Sequence, residues 1–110
     1  MGSEMTEAPF HRVCSRSDVP EGTGRSFRIG SLQLVIFRSG GEFFASAAHC
    51  THEKELLDEG FLDGATVECP RHGAQFDLRT GEALSLPATE PLEVFPVKLE
   101  GDDVLVAVPE

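Results

Sequence analysis

Cys50-Thr51-His52 and, after sixteen intervening residues, Cys69-Pro70-Arg71-His72 decide how this chain of 110 residues is read. Each stretch offers one thiolate and one imidazole, a residue or two apart. Two loops carrying such pairs, brought together, supply two sulfur and two nitrogen ligands. Two kinds of centre use that set: a Cys2His2 zinc site, and a [2Fe–2S] cluster with both Cys on one iron and both His on the other. Spacing separates them. Zinc fingers pair Cys with Cys in one half and His with His in the other. Here each half carries one of each, so two loops can give both thiolates to an inner iron and both imidazoles to an outer one. The pattern favours the iron–sulfur cluster, with a zinc-stapled binding module as the competing reading.

Outward from these loops the chain reads as all-β. On the N-terminal side, Arg28-Ile29 and Leu32-Gln33-Leu34-Val35-Ile36-Phe37 are β-branched and apolar, split by Gly30-Ser31 as in a hairpin. Ser39-Gly40-Gly41 is a turn, and Glu42-Phe43-Phe44-Ala45 restarts a strand after it. His11-Arg12-Val13-Cys14 predicts a first strand, with Cys14 as a small core residue. On the C-terminal side, Leu92 to Leu99 alternates before Gly101-Asp102-Asp103, and Val104 to Val108 follows, which predicts a terminal hairpin. Pro96 confines its strand to an edge or a bulge, because proline donates no ladder hydrogen bond. Glu53 to Glu59 is too short to stand as a helix and predicts a turn of helix or a loop. Residues 46–90 break the strand pattern, and so loop-rich a stretch is expected to bury little apolar surface of its own. A metal centre is then what holds it together.

The chain is long enough for one small domain. Its formal net charge of −10 is unevenly spread: residues 1–40 hold five basic and four acidic side chains, residues 41–110 four and fifteen. Such a surface repels phosphate backbones and anionic lipid, which argues against nucleic-acid and membrane partners and for a positively charged protein. The longest apolar run, Leu34 to Phe37, falls far short of the roughly 20 residues of a membrane span. No secretory signal is visible, which with three cysteines predicts a reducing, cytoplasmic setting. Met1-Gly2-Ser3-Glu4-Met5-Thr6 fits a myristoylation pattern. The competing reading is a short extension ahead of a start at Met5, with residues 1–8 disordered or tag-derived.

Residues 46–88 resemble the cluster-binding subdomain of the Rieske family, and more narrowly the small Rieske-type ferredoxins of bacterial ring-hydroxylating oxygenase systems. The matching stretches are Cys50-Thr51-His52, Glu59 to Gly64, Cys69 to Asp77, Thr80-Gly81-Glu82 and Leu86-Pro87-Ala88. The resemblance implies a single domain over 1–110, an antiparallel β-sandwich base carrying a small, loop-rich cluster-binding subdomain over 46–88. It implies one [2Fe–2S] cluster, with Cys50 and Cys69 on the buried iron and His52 and His72 on the iron near the surface. It also implies a one-electron carrier, not itself an enzyme, that takes electrons from a flavin-dependent reductase and gives them to a terminal oxygenase, docking near His52 and His72 as a monomer. A fixed relay subunit, similar to nitrite-reductase small subunits, is the alternative within the same fold. Gly73 would leave room for backbone N–H groups at the cluster, and Leu86-Pro87-Ala88 resembles the loop that shields it.

The chain departs from the respiratory members of that family. Where they carry two further cysteines it has Glu55 and Arg71, which either clamp the loops as an ion pair or stand as separate solvated charges. Where they place Ser and Tyr hydroxyls it has Ala74 and Phe76. Fewer hydrogen bonds to cluster sulfur, in an acidic region, predict a potential low in the Rieske range, roughly −150 mV. His49, beside Cys50 in an extended segment, is expected to point away from the ligands. His11 has no partner visible in the sequence, and the acids between Glu53 and Glu59 are either a solvated face or part of a docking surface.

Overall fold

A computed structural model describes residues 9–49, 56–70, 73–85 and 90–108. Ten strands form three antiparallel sheets, with only short 3-10 turns besides, at Arg16–Asp18 and Leu57–Glu59 among the described residues. β2 (Thr23–Ile29), β3 (Leu32–Ser39), β4 (Glu42–Ala47) and β8 (Val94–Phe95) make the central sheet in that order. β1 (Phe10–Ser15), β10 (Asp103–Ala107) and β9 (Val97–Glu100) make a second. β5 (Phe61–Asp63), β6 (Thr66–Glu68) and β7 (Gln75–Asp77) make the third.

The run Leu34-Val35-Ile36-Phe37 shows why the central sheet organises the molecule. All four residues are fully buried, because both faces of β3 are covered. Leu34 and Ile36 face the second sheet and pack with Cys14, Ala45, Phe95, Val104 and Val106. Val35 and Phe37 face the other way and pack with Phe44, Leu57, Val67, Phe76 and Leu92. The domain is therefore a sandwich with a third, smaller sheet laid on its far side.

The predicted hairpins are present: β2 pairs with β3 from Thr23↔Arg38 to Ile29↔Leu32, β3 with β4, and β9 with β10. The predicted first strand is present too, pairing with β10 and holding Cys14 in the core, 2% exposed. Pro96 marks where the chain leaves one sheet for another. Phe95 before it pairs with Ala45, and Val97 after it pairs with Val106, both on edge strands. Lacking an N–H, the proline ends one ladder, while its carbonyl accepts from Ala107 N–H at 3.1 Å.

The expectation for residues 46–90 needs correcting. This segment contains β5, β6 and β7, and it contributes Leu57, Val67, Cys69, Ala74, Phe76 and Leu78 to a core continuous with the central sheet. Strands of three residues are too short for alternation to declare them in the sequence. The core they share with β3 and β4 makes them stable. Within the expected helical turn, Leu57–Glu59 forms a single 3-10 turn, and Glu53 to Glu55 lie outside the described residues.

Candidate metal centre

Backbone hydrogen bonds close three necks of chain over one core. The first leaves the end of β4. Leu57 N–H donates to Ala48 O at 2.8 Å and His49 bridges Leu56, so the segments on either side of residues 50–55 are held together in one neck. The second joins β6 to β7. Beyond the Glu68↔Gln75 pair, Cys69 N–H donates to Ala74 O at 2.7 Å and Gly73 N–H donates to Cys69 O at 3.1 Å. The third follows β7, where Leu92 N–H donates to Gly81 O at 2.7 Å. Gly81 sits at a φ of +84°, and a Cβ there would strike the Leu92 carbonyl oxygen, so only glycine fits this neck.

The roots meet. Ala48 and Leu57 of the first neck, Cys69 and Ala74 of the second and Leu92 of the third pack in one core with Phe76. Burying Leu57 alone contributes about 2 kcal/mol to anchoring the first loop. Of the four predicted ligands, Cys69 is placed by the structure, 1% exposed at the base of its loop. Cys50, His52 and His72 lie outside the described residues, as do Glu55, Arg71 and Leu86-Pro87-Ala88. Among the described residues alone, no group of three or more His, Cys, Asp or Glu side chains could hold a metal ion.

What is described fits an iron–sulfur centre. A cysteine buried at the root of a tight turn suits an inner ligand, and Ala48 and Leu57, which flank the first Cys–His stretch, pack in the same core. Gly73, directly after His72, has a φ of +75°, which leaves the loop backbone free to turn its N–H groups. Ala74 and Phe76 are fully buried beside Cys69, so the apolar surroundings inferred from the sequence are present. Cys14 belongs to the opposite core, where burial first and Asp18 second push its thiol up to about 11; it takes no part in the site. His49 is exposed at the first neck.

Two polar contacts pin the loop-bearing segment to the base. Arg79 donates to both carboxylate oxygens of Glu42 on β4, at 2.8 and 3.3 Å, with its guanidinium 5.5 Å over the Phe44 ring. Ser26 Oγ on β2 donates to Asp58 Oδ2 at 2.9 Å, tying down the 3-10 turn after the first loop. Arg79 is also the sole cation among the described residues 56–85, against the acids Asp58, Glu59, Asp63, Glu68, Asp77 and Glu82. The sequence showed the acidity but not these pairings, because Arg79 and Glu42 stand 37 residues apart.

Comparison with known proteins agrees with this architecture. Residues 10–96 match the family described as the Rieske [2Fe-2S] domain. The 3-phenylpropionate/cinnamic acid dioxygenase ferredoxin subunit of Escherichia coli (strain K12) is 48% identical over 100 residues, covering 89% of this chain and 92% of that protein. A chain from a complex of reduced oxygenase and oxidized ferredoxin in carbazole 1,9a-dioxygenase superposes with a TM-score of 0.80 at 42% identity, over 89% of this chain and 92% of that one. The Sphingomonas yanoikuyae B1 ferredoxin superposes with a TM-score of 0.84 at 31% identity, over 92% and 100%. No helix among the described residues is long and apolar enough to cross a membrane.

Proposed function

The chain belongs to the Rieske [2Fe–2S] family, and on that premise we propose that Cys50, His52, Cys69 and His72 hold its one cluster and that it is the ferredoxin of a ring-hydroxylating oxygenase system. In this role it takes single electrons from a flavin-dependent reductase and delivers them to a terminal oxygenase, and it catalyses no reaction of its own. The cluster supplies the one-electron chemistry. Cys50 and Cys69 would supply its two thiolate ligands, and His52 and His72 its two imidazoles. The observation that carries this reading is the common root of the loops: buried Cys69 packs in one core with the necks of both Cys–His loops.

The protein's own residues prepare the site for transient docking. The six acids against one cation, Arg79, among the described residues of 56–85 give this segment a negative excess, which favours a basic patch on a partner and fast, salt-sensitive encounter. Two of the relatives named above are described as a dioxygenase ferredoxin subunit and as part of an oxygenase–ferredoxin complex of a dioxygenase, which supports the carrier reading over a fixed relay subunit. Residues 1–110 act as one domain and as a monomer, 46–88 form the cluster-binding part, and the setting is the cytoplasm. The test is anaerobic electron transfer from the reduced chain to a dioxygenase terminal component, followed across ionic strength. Rates should fall steeply as salt rises. Rates indifferent to salt contradict the acidic docking face.

A further inference from the structure

The third sheet has two faces, and its register assigns every residue to one of them. Leu62, Val67, Phe76 and Ala83 pair in a row that turns into the core. One residue along, Phe61, Glu68 and Gln75 pair in a row that must turn outward. This outward row is the last rung before the loop that carries Cys69 and His72. Leu84 extends it, because its N–H donates to Gln75 O at 2.7 Å.

Glu68 in this row is not a freely solvated acid. It is half-buried, and its Oε1 accepts a hydrogen bond from Gln75 Nε2 at 3.2 Å. Its other oxygen lies 3.5 Å from where a Cβ on Gly73 would sit, so the carboxylate is folded back towards Gly73. Gln75 is itself fixed on both sides. Its backbone N–H donates to Ser85 Oγ at 3.2 Å and its backbone carbonyl accepts from Leu84 N–H, which fixes the backbone that carries the amide. The other acids of the segment are placed differently. Glu59, Asp63 and Glu82 are exposed, Asp58 is tied to Ser26, and Asp77 accepts from Arg79 N–H.

We propose that Glu68 is a fixed negative charge that lowers the reduction potential of the centre, and that Gln75 is the residue that positions it. The proposal rests on the assignment of Cys69 and His72 as ligands. Adding an electron beside an anion costs energy, and the cost grows as the anion is withdrawn from water. Glu68 is partly withdrawn and adjoins Cys69 in the chain. Asp63 carries the same charge on the same sheet, but its rung lies two residues along the strand, about 7 Å farther from the loop, and its side chain is exposed.

The experiment is voltammetry of the full chain reconstituted with iron and sulfide, at neutral pH. Glu68→Gln, which keeps the shape and removes the charge, moves the midpoint positive by at least twice the shift of Asp63→Asn. The Glu68→Gln shift persists in 1 M salt, whereas the Asp63→Asn shift is screened away. Gln75→Ala releases the carboxylate and moves the midpoint in the same direction by a smaller amount, with the circular dichroism spectrum unchanged. Equal shifts from Glu68→Gln and Asp63→Asn, or a Glu68→Gln shift abolished by salt, overturn the proposal while leaving the ligand assignment intact. A wild-type chain that assembles no iron–sulfur chromophore overturns both.

Discussion

Ala74→Ser should raise the reduction potential, and the size of the rise follows from strand register. Glu68 pairs with Gln75, and the Cys69 N–H to Ala74 O bond continues that ladder by one rung into the loop. Residues 69 and 74 therefore face each other on the inner side, and both are buried. Cβ atoms of such a pair stand about 4.5–5.5 Å apart, which puts a serine hydroxyl within roughly 3.5 Å of Cys69 Sγ. A hydrogen bond to a charged acceptor contributes about 1.5–3 kcal/mol. Only the part that strengthens on reduction moves the potential. If that is about half, the change is near 1 kcal/mol, or roughly 40 mV for one electron. Midpoint titration of the wild type and the variant reads it directly. Ala65→Ser, at the turn between β5 and β6, is the control and should shift the midpoint by less than about 10 mV, since its hydroxyl lies at the other end of the sheet. An unchanged or lower potential in Ala74→Ser, with the chromophore intact, refutes both the register argument and the account of the low potential.

Two further outcomes test the frame around the site. Because Cys14 keeps its proton up to about 11, against an ordinary value near 9, the folded chain binds more protons than the unfolded one between those pH values. Stability is then intact below pH 9 and falls as pH rises towards 11, by roughly 2 kcal/mol in all. Urea midpoints of wild type and Cys14→Ala compared at pH 8 and pH 11 measure this, and equal losses in both contradict it. Gly81→Ala forces a side chain into positive φ against the Leu92 carbonyl and should cost at least about 2 kcal/mol. The expected readout is a thermal midpoint about 10 °C lower, with faster loss of the chromophore; an unchanged midpoint removes the third neck from the account.

The sequence made some of this legible and hid the rest for physical reasons. The family was readable from the Cys–His spacing because metal chemistry restricts residue type and spacing together. The hairpin β3–β4 was readable because Gly40 and Gly41 interrupt two apolar runs, and β9–β10 because Gly101 does the same. β2 was readable only in its last two residues, since Gly24 and Ser26 carry little strand signal; the register with β3 reveals its full length. Leu34 to Phe37 announced a strand, yet the unbroken run was also the trace of two covered faces, which becomes plain only with a sheet on each side. The loop necks could not be foreseen at all, because the backbone bonds that close them, such as Leu57 N–H to Ala48 O, leave no side-chain signature. The same holds for Glu68, whose character depends on a partner seven residues away across a loop.

Metal and sulfide analysis of the anaerobically purified chain decides whether two Cys–His loops hold a Rieske-type centre. The expected result is two iron atoms and two acid-labile sulfides per chain and a paramagnetic signal after one-electron reduction, all lost in Cys69→Ala. One equivalent of zinc with no sulfide would contradict it.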